Sequence, residues 1–173
     1  MSEETVEDAI LGGRLRLRQP ARGHRAGTDA VLLAAAIGLT EGMLVDAGAG
    51  VGAVGLAAAL RAPALRLTLI ERDSLTADLA RANVALNGLE ARAQVVEADL
   101  TQARARRAAG LTDGFADMVA TNPPWLAPGQ ARVSPNPRRA AAHAHEDGGG
   151  GLEAWMRAVA ALTRPGGRLA LIH

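Results

Sequence analysis

The 173-residue chain contains no cysteine, no tyrosine and no lysine, so all 19 of its basic residues are arginine. Without cysteine it can form no disulfide, no thiolate metal site and no thiol nucleophile. Without lysine or tyrosine, mechanisms that need a lysine Schiff base, a lysine base or a tyrosine base are excluded. Aromatic residues are limited to two tryptophans and one phenylalanine. This scarcity predicts a core of leucine, valine and alanine.

The chain also lacks long apolar runs and a strong excess of charge. No run approaches the roughly 18 residues that a membrane-spanning helix needs, and the acidic start MSEETVEDAI has none of the features of a signal peptide. The formal net charge of +1 excludes a polybasic nucleic-acid coat protein. Hydrophobic residues make up 49% of the chain, which excludes a disordered protein. We therefore expect a folded cytoplasmic protein without a membrane partner.

Short apolar runs alternate with helical segments from about residue 43 onward, a pattern typical of a doubly wound parallel α/β sheet. The length predicts one domain over residues 1–173. We expect Ser74 to cap the second helix of this unit and Pro165–Gly167 to end the last one. The predicted strands lie at 43–47, 65–70, 93–98, 116–121 and 168–172, and the predicted helices at 51–60, 75–86 and 152–162.

Two segments lie outside this alternation. Residues 1–40 are expected to form a hairpin and a helix, because RLRLR at 14–18 alternates strictly and Thr28 with Asp29 is suited to capping a helix. Residues 126–151 contain three prolines and four consecutive glycines. Loops of this length in compact domains are usually functional or disordered, and we expect a mobile loop over a substrate.

The stretch DAGAGVG, residues 46–52, lies at a predicted strand-to-helix junction. Gly48 and Gly50 let a ligand approach the backbone, and the following helix offers free N–H groups. Glu71 ends the next strand, where a carboxylate can accept both hydroxyls of a ribose. The spacing also satisfies the dinucleotide-binding pattern, and a tight turn without a ligand is a further alternative.

Two more acids distinguish between the possible cofactors. Asp46 directly precedes the glycines, where an acid would repel a pyrophosphate but suit the ammonium of an amino acid. Asp99 closes the third strand of the unit, where its carboxylate can accept from an adenine amino group. Acids at three successive strand ends therefore favour S-adenosylmethionine (SAM) over NAD.

The most specific signal is NPPW, residues Asn122, Pro123, Pro124 and Trp125. It follows a predicted strand at the carboxyl edge, where open α/β sheets place their sites. A planar amine with two N–H groups can donate to the Asn122 side-chain oxygen and to the Pro123 carbonyl. Accepting both hydrogens stabilises the positive charge that develops as a methyl group arrives. Trp125 offers a flat face for a planar substrate.

These residues together resemble the class I SAM-dependent methyltransferases that carry an N/DPP(Y/F/W) motif and methylate amines. The chain is more closely similar to the bacterial enzymes of the methyltransferase small-domain type that modify N6 of an adenine beside the anticodon of valine tRNA. That similarity rests on GHRAGTDAVLLAAA, RRAAAHAHEDG and LTRPGGRLALIH. The tryptophan of NPPW stands where tyrosine is commoner, which leaves the choice of substrate open.

The resemblance implies a Rossmann-like fold, SAM as the cofactor, and transfer of a methyl group to adenine N6 in tRNA. It implies that Asn122, Pro123, Pro124 and Trp125 are catalytic and that Gly27, Thr28 and Asp29 lie near the methionine end of SAM. The remaining predicted cofactor-binding residues are Asp46, Gly48, Gly50, Glu71, Asp99, Leu100 and Asn122.

Several alternatives stay open. NPP motifs also serve guanine N2 and protein glutamine, so these amines are alternative acceptors. The chain stops at His173 after the fifth strand of the unit, whereas members of the family continue through two further strands. A catalytically inactive remnant that binds SAM or RNA, or acts as a partner subunit, is therefore another alternative. The exposed last strand, with the uncharged stretch LALI, predicts self-association.

Arginines cluster at 14–25, at 104–107 and at 132–139. The first and third clusters flank the expected pocket and can grip phosphates, which predicts RNA as a partner, although a solvated face is an equal alternative. His143, His145, Glu146 and Asp147 show no regular ligand spacing, so we predict no metal site.

Overall fold

A five-stranded parallel sheet with helices on both faces, and a two-stranded antiparallel hairpin beside it, make up the computed structural model, which describes residues 4–22, 25–123 and 151–172. The strands are β1 (Thr5–Ile10), β2 (Leu15–Pro20), β3 (Glu41–Ala47), β4 (Ala64–Glu71), β5 (Ala93–Glu97), β6 (Ala116–Thr121) and β7 (Thr163–Leu171). The helices are α1 (Thr28–Ala36), α2 (Ala53–Arg61), α3 (Ser74–Leu86), α4 (Ala103–Ala108) and α5 (Gly151–Leu162).

The strands of the sheet lie in the order β5-β4-β3-β6-β7, and all neighbours are parallel. The chain builds outward from β3 through β4 to β5, then crosses back and builds outward in the other direction through β6 and β7. This reversal beside β3 is the switch point of a doubly wound sheet, where the carboxyl ends of the strands open a crevice for a ligand. The predicted fold class is confirmed.

The two faces of the sheet form two separate cores because side chains alternate along each strand. On one face, Leu44 and Leu67 belong to a cluster that α1, α2, α3 and the hairpin cover. On the other face, Val45 and Ile70 pack against α5 and residues around α4. All four side chains are at most 1% exposed. The composition of these clusters is dominated by leucine, valine and alanine, as the scarcity of aromatic residues predicts.

The hairpin is attached to α3 by two asparagines. Asn83 accepts from the backbone N–H of Arg18 (2.6 Å) and donates to its carbonyl (3.0 Å). Asn87 does the same for Arg16, at 3.0 and 2.7 Å. Each side-chain amide thus pairs with backbone groups on the edge of β2 that faces away from β1. Leu15 and Leu17, which alternate with these arginines, are fully buried, as the RLRLR pattern predicts.

Two predicted helix caps are wrong. Helix α3 begins after Asp73, whose Oδ1 accepts from the backbone N–H of Thr76 at 2.8 Å, so Ser74 is the first helical residue rather than the cap. Helix α1 begins after Gly27 with no side-chain cap. Thr28 and Asp29 therefore lie within its first turn. In both cases the helix begins directly after the residue that precedes the predicted cap.

Other differences come from weak local signals. A hairpin within residues 1–40 was predicted, but the bounds of β1 were not, since TVEDAI is half polar. Helix α4 was not predicted, since ARARRA has no apolar face. Strand β7 begins at Thr163, five residues before the predicted strand, because Pro165–Gly167 is accommodated within it where the pairing with β6 shifts register. Apart from Gly151, which begins α5, the predicted mobile loop lies outside the described residues.

The last strand in the sheet order, β7, exposes two apolar side chains. Leu169 is 41% and Leu171 39% exposed. Self-association through this strand stays a prediction. Within the part of the chain described here, no helix is long and apolar enough to cross a membrane.

Candidate cofactor site

The register of the sheet brings the predicted site residues to one edge. Ala47 at the end of β3 pairs with Ile70 in β4 and with Thr121 in β6. The residue that follows each of these three in the chain is a predicted site residue: Gly48, Glu71 and Asn122. Three segments far apart in sequence meet at the carboxyl edge of the switch point.

The glycine loop is anchored to β4 by its own backbone. The N–H groups of Gly48 and Ala49 both donate to the Ile70 carbonyl at 2.9 Å. Gly48, Gly50 and Gly52 have φ values of +72°, +56° and +90°, a region that side chains with a Cβ disfavour. The loop therefore requires glycine at these positions for its shape.

The surroundings of the glycines differ, and the difference identifies the open side of the loop. A Cβ on Gly52 would come within 3.0 Å of Leu69, whereas no described atom lies within 4 Å of a Cβ on Gly50. Gly52 is closed in by the core, while Gly50 borders free space beside its neighbour Glu71. This cradle fits a ligand that approaches the backbone at Gly50.

Glu71 joins the loop to the start of α3. Its Oε2 accepts from the N–H of Gly50 at 2.9 Å, and its Oε1 accepts from the N–H groups of Arg72 (2.9 Å) and Asp73 (3.0 Å). A carboxylate offers about four acceptor positions, so these three donors leave about one. Recognition of both ribose hydroxyls by Glu71 therefore requires that one N–H group is shared or released.

Asp46 lies inside the molecule rather than on the loop surface. It is 2% exposed, and its Oδ2 accepts from the N–H of Gly55 in the first turn of α2 at 2.8 Å. Burial raises the pKa of Asp46 to about 7; the Gly55 hydrogen bond opposes the rise and the charge of Glu71 adds to it. Asp46 thus stabilises the first turn of α2 from inside the core. Its contact with an ammonium group stays a prediction.

Asp99 organises the turn that follows β5. Its Oδ1 accepts from the N–H and hydroxyl of Thr101 at 2.9 and 2.6 Å, and its Oδ2 accepts from Gln102 at 2.9 Å. Burial by itself would raise the pKa of Asp99, but the hydrogen bonds from Thr101 and Gln102 outweigh it and hold that pKa below its usual value. The neighbouring Leu100 is only 3% exposed, so it offers a ligand little side-chain surface.

The NPPW motif is only partly described. Asn122 is half-buried and Pro123 is buried, directly after the fully buried Thr121. Pro124 and Trp125 lie outside the described residues, as do Arg132, Arg138 and Arg139. The described half of the motif nevertheless stands beside the glycine loop.

The sequence model of the methyltransferase small domain matches residues 26–152, which is more than half of the chain. The chain belongs to this methyltransferase family. A tRNA1(Val) (adenine(37)-N6)-methyltransferase from Porphyromonas gingivalis is 33% identical over 153 residues, 86% of this chain and 58% of the relative. A 4-amino-L-phenylalanine/4-methylamino-L-phenylalanine methyltransferase from Streptomyces pristinaespiralis is 34% identical over 140 residues, 79% of this chain and 45% of the relative. The chain spans about half the length of these relatives.

Solved structures share this fold. A predicted O-methyltransferase from Agrobacterium tumefaciens has 33% sequence identity and a TM-score of 0.62, over 83% of this chain and 60% of that one. The M. jannaschii TYW2 in complex with AdoMet shares the fold, with a TM-score of 0.55 and 17% identity over 69% of this chain and 52% of that one. The predicted methyltransferase family is confirmed.

Family membership confirms the predicted cofactor, SAM, and the donor set fits it. The open cradle at Gly50 admits a ligand to the backbone, and the carboxylates of Glu71 and Asp99 stand at successive strand ends. Gly27, Thr28 and Asp29 are exposed at the start of α1, which packs against α2. Their approach to the methionine end of the cofactor stays a prediction.

One residue beside the glycine loop was not predicted from the sequence. Trp155 of α5 donates its indole N–H to Thr121 at 3.0 Å and packs against Gly48. A tryptophan on the helix that follows NPPW was the available signal, since the chain has only one other.

The described surface also has two open depressions, of about 430 and 460 Å³, away from this site. One is lined by Arg66 and Gln94, the other by Asp117 and Arg164. These residues lie at the amino ends of their strands or next to them, at the opposite edge of the sheet. Among the described residues, no group of three or more His, Asp and Glu side chains is arranged to hold a metal, and His143, His145, Glu146 and Asp147 lie outside the described residues.

Proposed function

We propose that the protein is a cytoplasmic SAM-dependent N-methyltransferase that acts on the N6 amine of an adenine in tRNA. The observation that carries the proposal is the position of Asn122 and Pro123. They follow Thr121, which pairs with Ala47 immediately before the glycine loop. An amine acceptor held at Asn122 would thus stand beside the cofactor cradle.

The chemistry of the acceptor site follows from its residue types. SAM, when bound, supplies an electrophilic methyl group on a sulfonium. The side-chain oxygen of Asn122 and the carbonyl of Pro123 accept the two N–H groups of a planar amine and orient its lone pair. They also stabilise the positive charge that develops on the nitrogen. As the new C–N bond forms, the methyl–sulfur bond would break and leave a neutral thioether. Orientation of the two reacting groups supplies much of the rate. The methylated nitrogen is cationic and acidic, so it can lose its proton to water and no strong base is needed.

Three arginines in and just after the hairpin are already paired with carboxylates. Arg16 and Arg18 both pair with Glu7, and Arg25 pairs with Asp8. A phosphate must compete with these carboxylates, so the hairpin is not a bare cationic surface. In this proposal the arginines at 132–139 make the stronger phosphate contacts, and affinity for RNA falls with added salt.

The choice of tRNA is supported by the Porphyromonas gingivalis relatives, of which a second is 32% identical over 164 residues. A second candidate acceptor is the aromatic amine of a small molecule. The Streptomyces pristinaespiralis relative is named for 4-amino-L-phenylalanine, and that amine is planar, like N6 of adenine. A release factor glutamine methyltransferase from Chlorobaculum tepidum matches a shorter region, 34% over 83 residues.

Transfer from methyl-labelled SAM tests the proposal. The acceptors are an unmodified valine tRNA transcript, the same transcript with adenine 37 changed to guanine, 4-amino-L-phenylalanine and a glutamine-containing peptide. We expect label in the first transcript alone. Asn122→Ala should lower kcat more than about 100-fold while affinity for S-adenosylhomocysteine (SAH), the demethylated product, stays within about threefold. Label in the guanine transcript or in a small acceptor would replace the adenine assignment, and no label in any acceptor would support an inactive SAM-binding protein.

A further inference from the structure

Trp155 links three elements of the site through two consecutive hydrogen bonds. The indole Nε1 donates to Thr121 Oγ1 at 3.0 Å. The Thr121 hydroxyl then donates to the carbonyl of Ala47 at 2.9 Å. Helix α5, the end of β6 and the end of β3 are therefore joined by side chains, in addition to the backbone pairing of the two strands.

The same indole supports the glycine loop by contact. A Cβ on Gly48 would lie 3.0 Å from Cζ2 and Cη2 of Trp155, closer than nearly all real Cβ contacts. The ring therefore occupies the space of the missing side chain. The loop is supported at Gly48 by this ring and open at Gly50, two residues later.

The hydrogen-bonded link depends on the hydroxyl group of Thr121. It is fully buried, and its hydroxyl donates one bond and accepts the other. Water cannot replace either partner without entering the core, and valine has the right shape but neither bond. Asn122 follows directly, so the position of the proposed acceptor site depends on the same strand end as the loop.

We infer that Trp155 is a positioning residue that joins the cofactor loop at Gly48 to the strand end that carries Asn122. The inference rests on the proposed function, because it assumes a cofactor in the cradle and an acceptor at Asn122. Trp155 acts through Thr121 and the glycine loop, and it is not itself one of the groups proposed to face the cofactor. It therefore affects how well the loop is held for the cofactor, beyond any effect on stability.

Fluorescence tests the inference directly, because the chain has two tryptophans and no tyrosine. In Trp125→Phe, Trp155 is the sole indole. SAH is titrated into this variant while calorimetry measures binding in parallel. We expect the emission of Trp155 to shift or change intensity with the calorimetric binding curve. Calorimetric binding with unchanged emission would overturn the inference. An absence of binding in the parent protein would instead overturn the proposed function.

Substitutions test the hydrogen-bonded link. Trp155→Phe and Thr121→Val should each weaken SAH binding roughly 3- to 10-fold, and the double variant should bind no more weakly than the weaker single variant, because both remove the same link. Thr121→Ser should restore binding to near the parent value. Thr163→Val is the matched control, since that hydroxyl donates to Val159 at the other end of α5. Unchanged binding in both single variants, or additive losses in the double variant, would show that Trp155 is only a packing residue.

Discussion

In the cofactor site, Glu71 and Asp99 are held by backbone N–H groups and neutral side chains, whereas in the hairpin Glu7 and Asp8 are held mainly by arginines. Glu71 accepts from three N–H groups, while Glu7 pairs with two exposed guanidiniums. Salt screens exposed ion pairs, but it screens short hydrogen bonds within a folded loop much less. Charges in the site are thus kept in place independently of the ionic medium, and those of the hairpin are not.

Substitution of Asn83, which connects the hairpin to the glycine loop, should give the largest loss of stability. Asn83 is fully buried and bonds to both backbone groups of Arg18 and to the carbonyl of Val51. Asn83→Ala leaves these groups without their partner and should lower the free energy of unfolding by about 3–4 kcal/mol. Urea unfolding measures the change. Asn87→Ala, at the more exposed end of the hairpin, is the matched control, and equal losses in the two variants would contradict the role assigned to Asn83.

The buried acid of the site should give a pH-dependent effect of about 2–3 kcal/mol. The pKa of Asp46 is about 7 in the folded protein and near 3.8 when unfolded, so the unfolded state releases its proton first. The stability of the parent relative to Asp46→Asn therefore falls between about pH 4 and pH 7 and stays low above. Urea unfolding of both proteins at pH 4.5 and pH 8 checks this, and a difference in stability between parent and variant that is the same at both pH values would contradict it.

Loss of the acid that holds the loop should weaken cofactor binding by about 2 kcal/mol. Glu71→Ala removes both the acceptor for Gly50 and the carboxylate proposed to meet the ribose. Calorimetry with SAH in 50 mM and 500 mM salt should show a loss that is nearly the same in both. Asp73→Ala, which removes the neighbouring helix cap, controls for loop disturbance. A loss that disappears at high salt would place Glu71 with the screened acids of the hairpin.

The hairpin should give the smallest effect. Glu7→Gln removes the acid that pairs with Arg16 and Arg18, and exposed ion pairs of this kind contribute little to stability. The hydrogen bond and charge of Arg16 lower the pKa of Glu7, so its contribution is lost only as the pH falls through that lowered pKa. Urea unfolding at neutral pH with low and high salt should show a small difference that shrinks with salt. A loss as large as that of Asn83→Ala would mean that the hairpin depends on this charge.

Much of the fold could be predicted because the informative residues are local. The apolar runs of β3, β4 and β6 and the glycines after β3 are each readable from a few neighbours. Helix α4 and the bounds of strand β1 could not be predicted, because ARARRA has no apolar face and TVEDAI is half polar. For the candidate site, the acids could be named from the sequence, and their roles stay predictions. Their backbone partners and the contact between Trp155 and Gly48 could not be named, because these depend on the register of the sheet.

The bond from Asn83 to Val51 has a thermodynamic consequence beyond stability. Val51 lies in the glycine loop, and Asn83 donates to its carbonyl at 2.9 Å while the same side chain holds Arg18 in the hairpin. Two sites that share one conformational constraint influence each other reciprocally. A ligand that rigidifies the loop should therefore slow hydrogen exchange at the Arg18 amide. By the same coupling free energy, the ordered hairpin, although distant in sequence, should strengthen binding of that ligand.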